Sequence, residues 1–270
     1  VDNPHTKPFA VWEWMIGSIH EVHPDILFLS EAFTRPKIMY RLAKLGFSQS
    51  YSYFTWRTTK AELTEYLTEL TTHLPSQFFR PNFFPVTPDI FPKHLHGGQT
   101  AAFMVRLALA ATLGSNYGML AGYELLEGEA LPGKEEYQDS EKYEIKPRDW
   151  NAPGNIKPFV TAVNRIRREN PALQQFRRLR FLPADNEQVL FYMKWSEDKR
   201  NAVFAVVNLD FDRVQEAYIT LPLKELGLDT TAPYTLENLL EGHQWQWQGA
   251  RQHQRLDPAT NPVVLFRVAL

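Results

Sequence analysis

The stretch Val1 to Arg35, VDNPHTKPFAVWEWMIGSIHEVHPDILFLSEAFTR, predicts the fold of the first part of the chain. Its residues 25–30 contain the apolar run ILFL, which is too short for a helix and too continuous for a half-solvated strand, so we expect a strand buried on both faces. The preceding apolar residues recur at helical spacing and are Phe9, Trp12, Ile16, Ile19 and Val22. Because strands joined by one helical crossover are parallel neighbours, the stretch predicts a parallel α/β arrangement.

Carboxylates follow the ends of the predicted strands. Glu31 directly follows the ILFL strand, and Asp2 follows Val1, which we expect to be the last residue of a strand from a longer chain. A third carboxylate, Asp89, lies in the proline-stiffened exit PVTPD (residues 85–89) of a later strand. Because parallel strands present their chemistry at their carboxyl ends, we expect Asp2, Glu31 and Asp89 to share one site.

Length and composition indicate a soluble globular protein. The 270 residues are 44% hydrophobic, and a formal net charge of −2 gives no reason to expect nucleic acid or an anionic membrane as a partner. The longest apolar run, residues 101–113, is too short to span a bilayer, and we expect no secretory signal. The absence of cysteine is typical of a reducing compartment, so we predict a cytoplasmic location. We expect no metal site, since the histidine pairs at 20/23 and 94/96 lack further ligands at suitable spacing.

The pattern divides the chain into two predicted domains. A strand, loop and helix rhythm continues to about residue 170, whereas short β-branched or aromatic runs separated by turn signals follow Pro171. We therefore predict that residues 1–172 are the second half of a (β/α)8 TIM barrel, because the rhythm is too short for the roughly 250 residues of a complete one. Residues 173–270 predict an antiparallel β-sandwich with a self-contained core. An open doubly wound sheet is the competing fold, but Gly97-Gly98 completes no phosphate-binding pattern.

The carboxylates suit glycosyl transfer with retention of configuration. Such chemistry needs one ionised carboxylate to attack the anomeric carbon and a second, initially protonated, to assist the leaving group and then activate the acceptor. The polar and basic residues after Asp2 favour its ionised form, whereas emergence from an apolar strand raises the pKa of Glu31. Asp89 supplies a third negative group. For each of the three, a solvated loop carboxylate is the alternative that stays open.

Several motifs resemble a known family. Val1-Asp2, FLSEAF (residues 28–33) and FFPVTPDI (residues 83–90) resemble the three catalytic regions of the α-amylase superfamily of glycoside hydrolases and transglycosylases. Longer words are similar to those of a bacterial maltosyltransferase family within it: DNPHTKP (2–8), LSEAFTRPK (29–37), YSYFTWR (51–57), AELTEYLTEL (61–70), RPNFFPVTPDI (80–90) and DSEKYEI (139–145). The arginine that precedes the first motif in that family lies outside this sequence.

The resemblance implies a reaction and the residues that perform it. It implies retaining transfer of maltosyl units from maltose 1-phosphate to an α-1,4-glucan or maltooligosaccharide, by a cytoplasmic homodimer without a cofactor. The implied catalytic residues are Asp2 as nucleophile, Glu31 as proton donor and later base, and Asp89 as transition-state stabiliser. The implied substrate-binding residues are Asn3 at the donor phosphate, and Lys142 and Tyr143 at the sugar.

Two other functions stay open. An amylase-like hydrolase would use the same three carboxylates to release reducing sugar from starch. In a non-catalytic glucan-binding module, residues 173–270 would bind oligosaccharide by themselves. The substitution Asp2→Asn would then leave this binding unchanged. The aromatic residues Trp12, Trp14, Trp56, Phe83 and Phe84 are expected in the core, outside the site.

Overall fold

A small parallel sheet holds the first part of the chain together. In a computed structural model, which describes residues 1–143 and 145–268, three short strands pair in the order β1-β2-β3. They are β1 (Leu29–Ser30), β2 (Gln49–Tyr51) and β3 (Pro81–Asn82). Single parallel bridges continue the pairing on both sides, from Asp2 to Glu31 and from Phe83 to Tyr117. Five chain segments therefore run parallel, side by side, in the order in which they occur in the sequence.

Five α-helices are found among the described residues. They are α1 (Phe9–Val22), α2 (Pro36–Lys44), α3 (Lys60–Thr72), α4 (Thr100–Leu113) and α5 (Lys157–Glu169). Helix α4 is buried on nearly all sides, which explains its continuously apolar sequence. Its one charged residue, Arg106, donates hydrogen bonds to the carbonyls of Phe54 (2.6 Å) and Arg57 (2.7 Å), so a buried cation satisfies two backbone acceptors. No described helix has the length and apolar character needed to cross a membrane.

The second part of the chain is antiparallel. A six-stranded sheet has the order β4-β5-β6-β11-β8-β9, and a separate pair is formed by β7 and β10. The strands are β4 (Leu179–Phe181), β5 (Val189–Trp195), β6 (Ala202–Asn208), β7 (Gln215–Thr220), β8 (Pro233–Asn238), β9 (Gln244–Gln248), β10 (Arg251–Leu256) and β11 (Val263–Val268). This arrangement agrees with the predicted all-β character of the segment.

The central strands of the six-stranded sheet, β5, β6 and β11, are buried on both faces. On β5, Val189 and Phe191 face the β7/β10 pair, whereas Leu190 and Tyr192 belong to a cluster that contains residues of α3 and α4. The Tyr192 hydroxyl also lies 2.5 Å from the Thr112 hydroxyl of α4. Alternate residues of a strand point to opposite faces, so a strand that is buried on both faces reads as a continuous apolar run. The core between the two sheets consists only of residues of this segment, as expected, but the other face of the six-stranded sheet packs against α3 and α4, which the sequence did not predict. The boundary at residue 172 stays a prediction.

Two other local expectations also differ from the structure. The predicted strand at residues 25–30 is reduced to Leu29–Ser30, and Leu27 is 73% exposed, because no described segment covers that side of the sheet. Trp14, expected in the core, is 70% exposed on α1, whereas Trp12 on the same helix is buried. Strands β4 and β10 have no counterpart in the sequence analysis, since one has three residues and the other, RQHQRL, is mostly polar.

Candidate active site

The backbones of Asp2 and Glu31 are direct neighbours. The Glu31 amide donates to the Val1 carbonyl (2.9 Å), and the Asn3 amide donates to the Glu31 carbonyl (3.0 Å). These two bonds form the parallel bridge between Asp2 and Glu31. Paired residues of adjacent strands present their side chains on the same face of a sheet, so the two carboxylates emerge together at the strand ends.

The charges of several other candidate residues shift the pKa of Glu31. Glu31 is half-buried, and this burial is the largest cause that raises its pKa above the ordinary value. The negative charges of Asp89 and Asp2 raise the pKa further. The Lys142 ammonium opposes this shift. A carboxyl group with a raised pKa is suited to donate a proton, and the direction of the shift agrees with the expectation from the sequence.

Asp89 is held by its loop and paired with a cation. The Thr87 hydroxyl accepts hydrogen bonds from the amides of Asp89 (3.2 Å) and Ile90 (3.0 Å), which fixes the turn after β3. The Lys142 ammonium donates to the Asp89 carboxylate. Both side chains of this ion pair are about two-fifths exposed, at 41% for Asp89 and 43% for Lys142, so the pair remains accessible from solvent.

Lys142 and Tyr143 belong to a long segment, residues 124–155, that precedes α5 and reaches Asp89 through Lys142. The Tyr143 amide donates to the Ser140 carbonyl (3.0 Å), and the Tyr143 ring is 79% exposed. A cavity of about 340 Å³ lies beside Asp89, and its lining includes Pro88, Asp89, Tyr137, Ser140, Lys142 and Tyr143. The structure thus brings Lys142 and Tyr143 to Asp89 from a distant part of the sequence.

Asn3 occupies the position directly after Asp2. Its backbone has φ 44° and ψ 49°, in the left-handed region, which asparagine tolerates better than most residues. The chain then turns into a short 3-10 helix at Pro4–Thr6, and the Trp12 indole donates to the Pro4 carbonyl (2.8 Å). Helix α1 thereby anchors the loop that carries Asp2 and Asn3, so a neutral amide lies beside the candidate nucleophile.

Tyr51 is a further candidate site residue, which the sequence patterns did not single out. Burial raises its pKa, and the charges of Glu31 and Asp89 raise it further, so the phenol interacts electrostatically with both carboxylates. Its ring packs against Phe84 with centroids 5.1 Å apart. Tyr51 ends β2, so the strand-end argument that selected Glu31 would also have found it.

Phe84 depends on a glycine. A Cβ atom at Gly118 would lie 1.8 Å from Cζ of Phe84, so only glycine allows the ring to take its position. Phe83, in contrast, is fully buried and belongs to the core, as expected. The described residues contain no cluster of three or more His, Cys, Asp or Glu side chains placed to hold a metal ion.

Known proteins resemble the chain in sequence. Residues 181–268 match the family model described as GLGE, C-terminal. A Rhodospirillum rubrum protein named alpha-1,4-glucan:maltose-1-phosphate maltosyltransferase is 57% identical over 268 residues, which cover 99% of this chain and 39% of the relative. A protein of the same name from Cereibacter sphaeroides is 53% identical over 268 residues, covering 99% of this chain and 40% of the relative. The chain thus spans about two fifths of the length of these relatives.

Solved structures resemble the chain in fold. The α-amylase of Anoxybacillus superposes with a TM-score of 0.77 at 14% identity, covering 99% of this chain and 57% of the amylase. The Gamma-CGTase of Bacillus clarkii gives a TM-score of 0.73 at 15% identity, covering 100% of this chain and 40% of that enzyme. At such identities the likeness concerns the fold alone. The resemblance carried by the sequence motifs is confirmed: over nearly its whole length the chain is similar to alpha-1,4-glucan:maltose-1-phosphate maltosyltransferases, and it corresponds to a part of them.

Proposed function

We propose that the chain is the carboxyl-terminal part of a longer protein, a retaining maltosyltransferase. This longer protein is the full-length protein. Residues 1–172 would form the second half of its catalytic (β/α)8 barrel, and residues 173–270 its β-sandwich domain. The observation that supports this most directly is the parallel bridge between Asp2 and Glu31, with Asp89 close enough to influence the pKa of Glu31. Three carboxylates at neighbouring strand ends suit a double displacement at an anomeric carbon.

In the first step, Asp2 attacks the anomeric carbon of α-maltose 1-phosphate. The bond between this carbon and the phosphate oxygen breaks, Glu31 donates its proton to the departing oxygen, inorganic phosphate leaves, and a β-maltosyl ester forms on Asp2. Asp89 would stabilise the positive charge that develops on the sugar ring. Asn3 would donate its side-chain amide to a phosphoryl oxygen without neutralising the adjacent nucleophile.

In the second step, Glu31 acts as the base. It accepts the proton of the 4-hydroxyl at the non-reducing end of an α-1,4-glucan, and that oxygen displaces Asp2 from the anomeric carbon. Two inversions give net retention. Lys142 and Tyr143 would bind sugar hydroxyls, the first as a cationic donor and the second by hydrogen bonding and stacking. We further propose that the full-length protein is a cytoplasmic homodimer.

The reaction products distinguish the proposed transferase from a hydrolase. The full-length protein should release inorganic phosphate from maltose 1-phosphate and lengthen an added maltooligosaccharide by two glucose units. Asp2→Asn should abolish both. Release of reducing sugar from starch, without phosphate release from maltose 1-phosphate, would instead identify an amylase-like hydrolase. If Asp2→Asn retained oligosaccharide binding and the wild type showed neither reaction, the non-catalytic alternative would hold.

A further inference from the structure

Lys142 has two carboxylates within reach of its position in the chain. Its ammonium pairs with Asp89, but the residue before it in the sequence is Glu141, another carboxylate. Glu141 and Lys142 lie on an exposed turn, in which the backbone amides of Lys142 and Tyr143 donate hydrogen bonds to Ser140. A lysine has a flexible four-carbon stem and no directional preference, so something must determine which carboxylate it meets.

Arg148 occupies the competing carboxylate. Its Nη1 atom donates to Oε2 of Glu141 at 2.6 Å, while Nε and Nη2 donate to the two oxygens of Glu127 at 2.7 and 3.3 Å. The Arg148 side chain is only 8% exposed, against 32% for Glu141. The planar guanidinium thus bridges two carboxylates with three charge-assisted hydrogen bonds, which is a rigid arrangement.

Glu127 ties this bridge to the rest of the protein. A Cβ atom at Gly122, where φ is +95°, would lie 2.4 Å from a Glu127 carboxylate oxygen, so the carboxylate packs directly on the backbone. Lys146 adds a second cation at 3.1 Å. Burial alone would raise the pKa of Glu127, but the hydrogen bonds from Arg148 and Lys146 outweigh it and lower the pKa. Glu127 is therefore a fixed, ionised anchor for Arg148.

The five side chains form a series of alternating charge. Glu127 binds Arg148, Arg148 binds Glu141, and the neighbour of Glu141, Lys142, binds Asp89. We propose that Arg148 is a positioning residue for the active site: by holding Glu141, it prevents this carboxylate from pairing with Lys142 and leaves the Lys142 ammonium directed at Asp89 and the sugar. This inference rests on the proposed transferase function, to which it adds a residue that does not touch the substrate.

Single and double variants of the full-length protein test the inference. The measurements are kcat and KM for phosphate release from maltose 1-phosphate, with a melting curve for every variant. Arg148→Ala should lower kcat/KM about tenfold, as expected for the loss of a charge-assisted contact at the site. If Arg148 acts through Lys142, Arg148→Ala combined with Lys142→Ala should be no worse than Lys142→Ala alone. Effects that multiply would overturn the inference.

Removal of the competing charge provides the second test. Glu141→Gln added to Arg148→Ala should recover a large part of the lost kcat/KM, because the neutral amide no longer attracts Lys142. A purely structural role for Arg148 predicts no recovery, since the hydrogen bonds of the bridge are already lost with the arginine. Failure to recover would therefore contradict the inference. If Arg148→Ala does not fold, the same comparison with Arg148→Lys decides the question, because lysine keeps the charge but lacks the fork.

A matched control comes from the same segment. Lys134 pairs loosely with Glu136 at 3.9 Å, and both side chains are more than half exposed, so Lys134→Ala should leave kcat/KM unchanged. The measurements distinguish a failure of the proposed transferase function from a failure of the proposed role of Arg148. A wild-type protein without phosphate release refutes the transferase function itself. An active wild type with multiplicative variants, or without recovery by Glu141→Gln, refutes only the role of Arg148.

Discussion

At the scale of single residues, Asp2 and Glu31 divide the proposed reaction between them. Because phosphate is a better leaving group than a sugar alkoxide, the first displacement depends less on protonation by Glu31 than the second depends on its basicity. Glu31→Ala should therefore slow transfer to the acceptor more than formation of the covalent intermediate, and a maltosyl adduct should accumulate on Asp2. Mass spectrometry of peptides from the stalled variant would locate the adduct. An adduct on Glu31 or Asp89 would contradict the assignment.

Lys194 is a buried cation at the junction between the two parts of the chain. Its side chain on β5 is fully buried, and its ammonium donates to the carbonyls of Leu113 (3.3 Å) and Gln175. Burial, together with the smaller effect of the Arg167 charge, lowers the pKa of Lys194 to about 7. Two backbone acceptors therefore do not compensate fully for the loss of water around the charge.

This burial predicts a pH dependence of stability. The unfolded pKa is about 10.4, so between pH 7 and pH 10 the unfolded chain binds the proton that the folded chain has released. The contribution of Lys194 to stability should accordingly rise with pH over this range, by at most about 3 kcal/mol between pH 7 and pH 9. The check is chemical denaturation of the full-length protein at both pH values, compared with Lys194→Met. If the difference between wild type and variant is the same at both pH values, Lys194 does not titrate in this window.

At the scale of elements, α3 shows the most complete agreement between sequence and structure. The Glu62 amide donates to the Thr59 hydroxyl (3.2 Å), and the Thr59 amide donates to the Glu62 carboxylate (3.1 Å), which completes the capping box that the spacing of Thr59 and Glu62 predicts. Thr59→Ala should destabilise the protein by about 1 kcal/mol. Thr64→Ala, in the interior of the same helix, is the control and should cost little. Equal destabilisation by both, measured by denaturation of the full-length protein, would show that the cap contributes nothing specific.

Helices were more predictable than strands in this chain. A helix such as α1 satisfies its backbone within one segment and shows its apolar period over fourteen residues, so Phe9–Val22 agrees with the prediction. A strand needs a partner, and residues 26 and 27 pair with no strand among the described segments, although their sequence is as apolar as that of a core strand. The sequence therefore predicts the propensity for a strand there, whereas the pairing depends on the rest of the protein.

The candidate site residues also differ in how far the sequence alone predicts them. Asp2, Glu31 and Asp89 were found because strand ends converge by topology, a property that short sequence patterns report. Lys142 and Tyr143 came from a family resemblance, since an exposed dipeptide in a charged loop carries no periodic signal. Neither the strand-end pattern nor the family resemblance points to Arg148. Its role depends on which carboxylates the folded loop brings to its guanidinium, and only the coordinates of Glu127 and Glu141 provide that information.

At the scale of the whole molecule, the parallel sheet has two edges without a further partner among the described residues. Within the described part of the chain, Asp2 and Tyr117 each form a single bridge, and the apolar residues Leu27 and Trp14 are largely exposed. Open edges and apolar patches favour association. Residues 1–270 expressed alone should therefore self-associate and show no maltosyl transfer, as measured by light scattering and phosphate release. A monomeric, cooperatively melting and active protein would contradict both this prediction and the half-barrel proposal.

The shared core makes a further prediction about the β-domain. One face of the six-stranded sheet packs against α3 and α4, so cutting the chain at residue 172 would expose that face, which includes Leu190, Tyr192, Val203, Ala205 and Leu265. Burial of each large apolar side chain stabilises a protein by roughly 1.5–3 kcal/mol, and a small domain cannot lose several such contributions and remain stable. Residues 173–270 alone should therefore aggregate or melt without cooperativity.

Substitutions on the exposed face can separate this explanation from a general instability of the sandwich. Leu190→Thr and Val203→Thr together should improve the solubility of residues 173–270, because both side chains lie on the face that α4 would cover. Phe191→Thr and Phe204→Thr are the control, since these side chains lie in the cluster between the two sheets and their loss should worsen folding. The measurements are the soluble fraction and the melting curve by circular dichroism. A wild-type fragment that is monomeric and melts cooperatively would show that the inter-sheet cluster alone is sufficient, as the sequence first suggested.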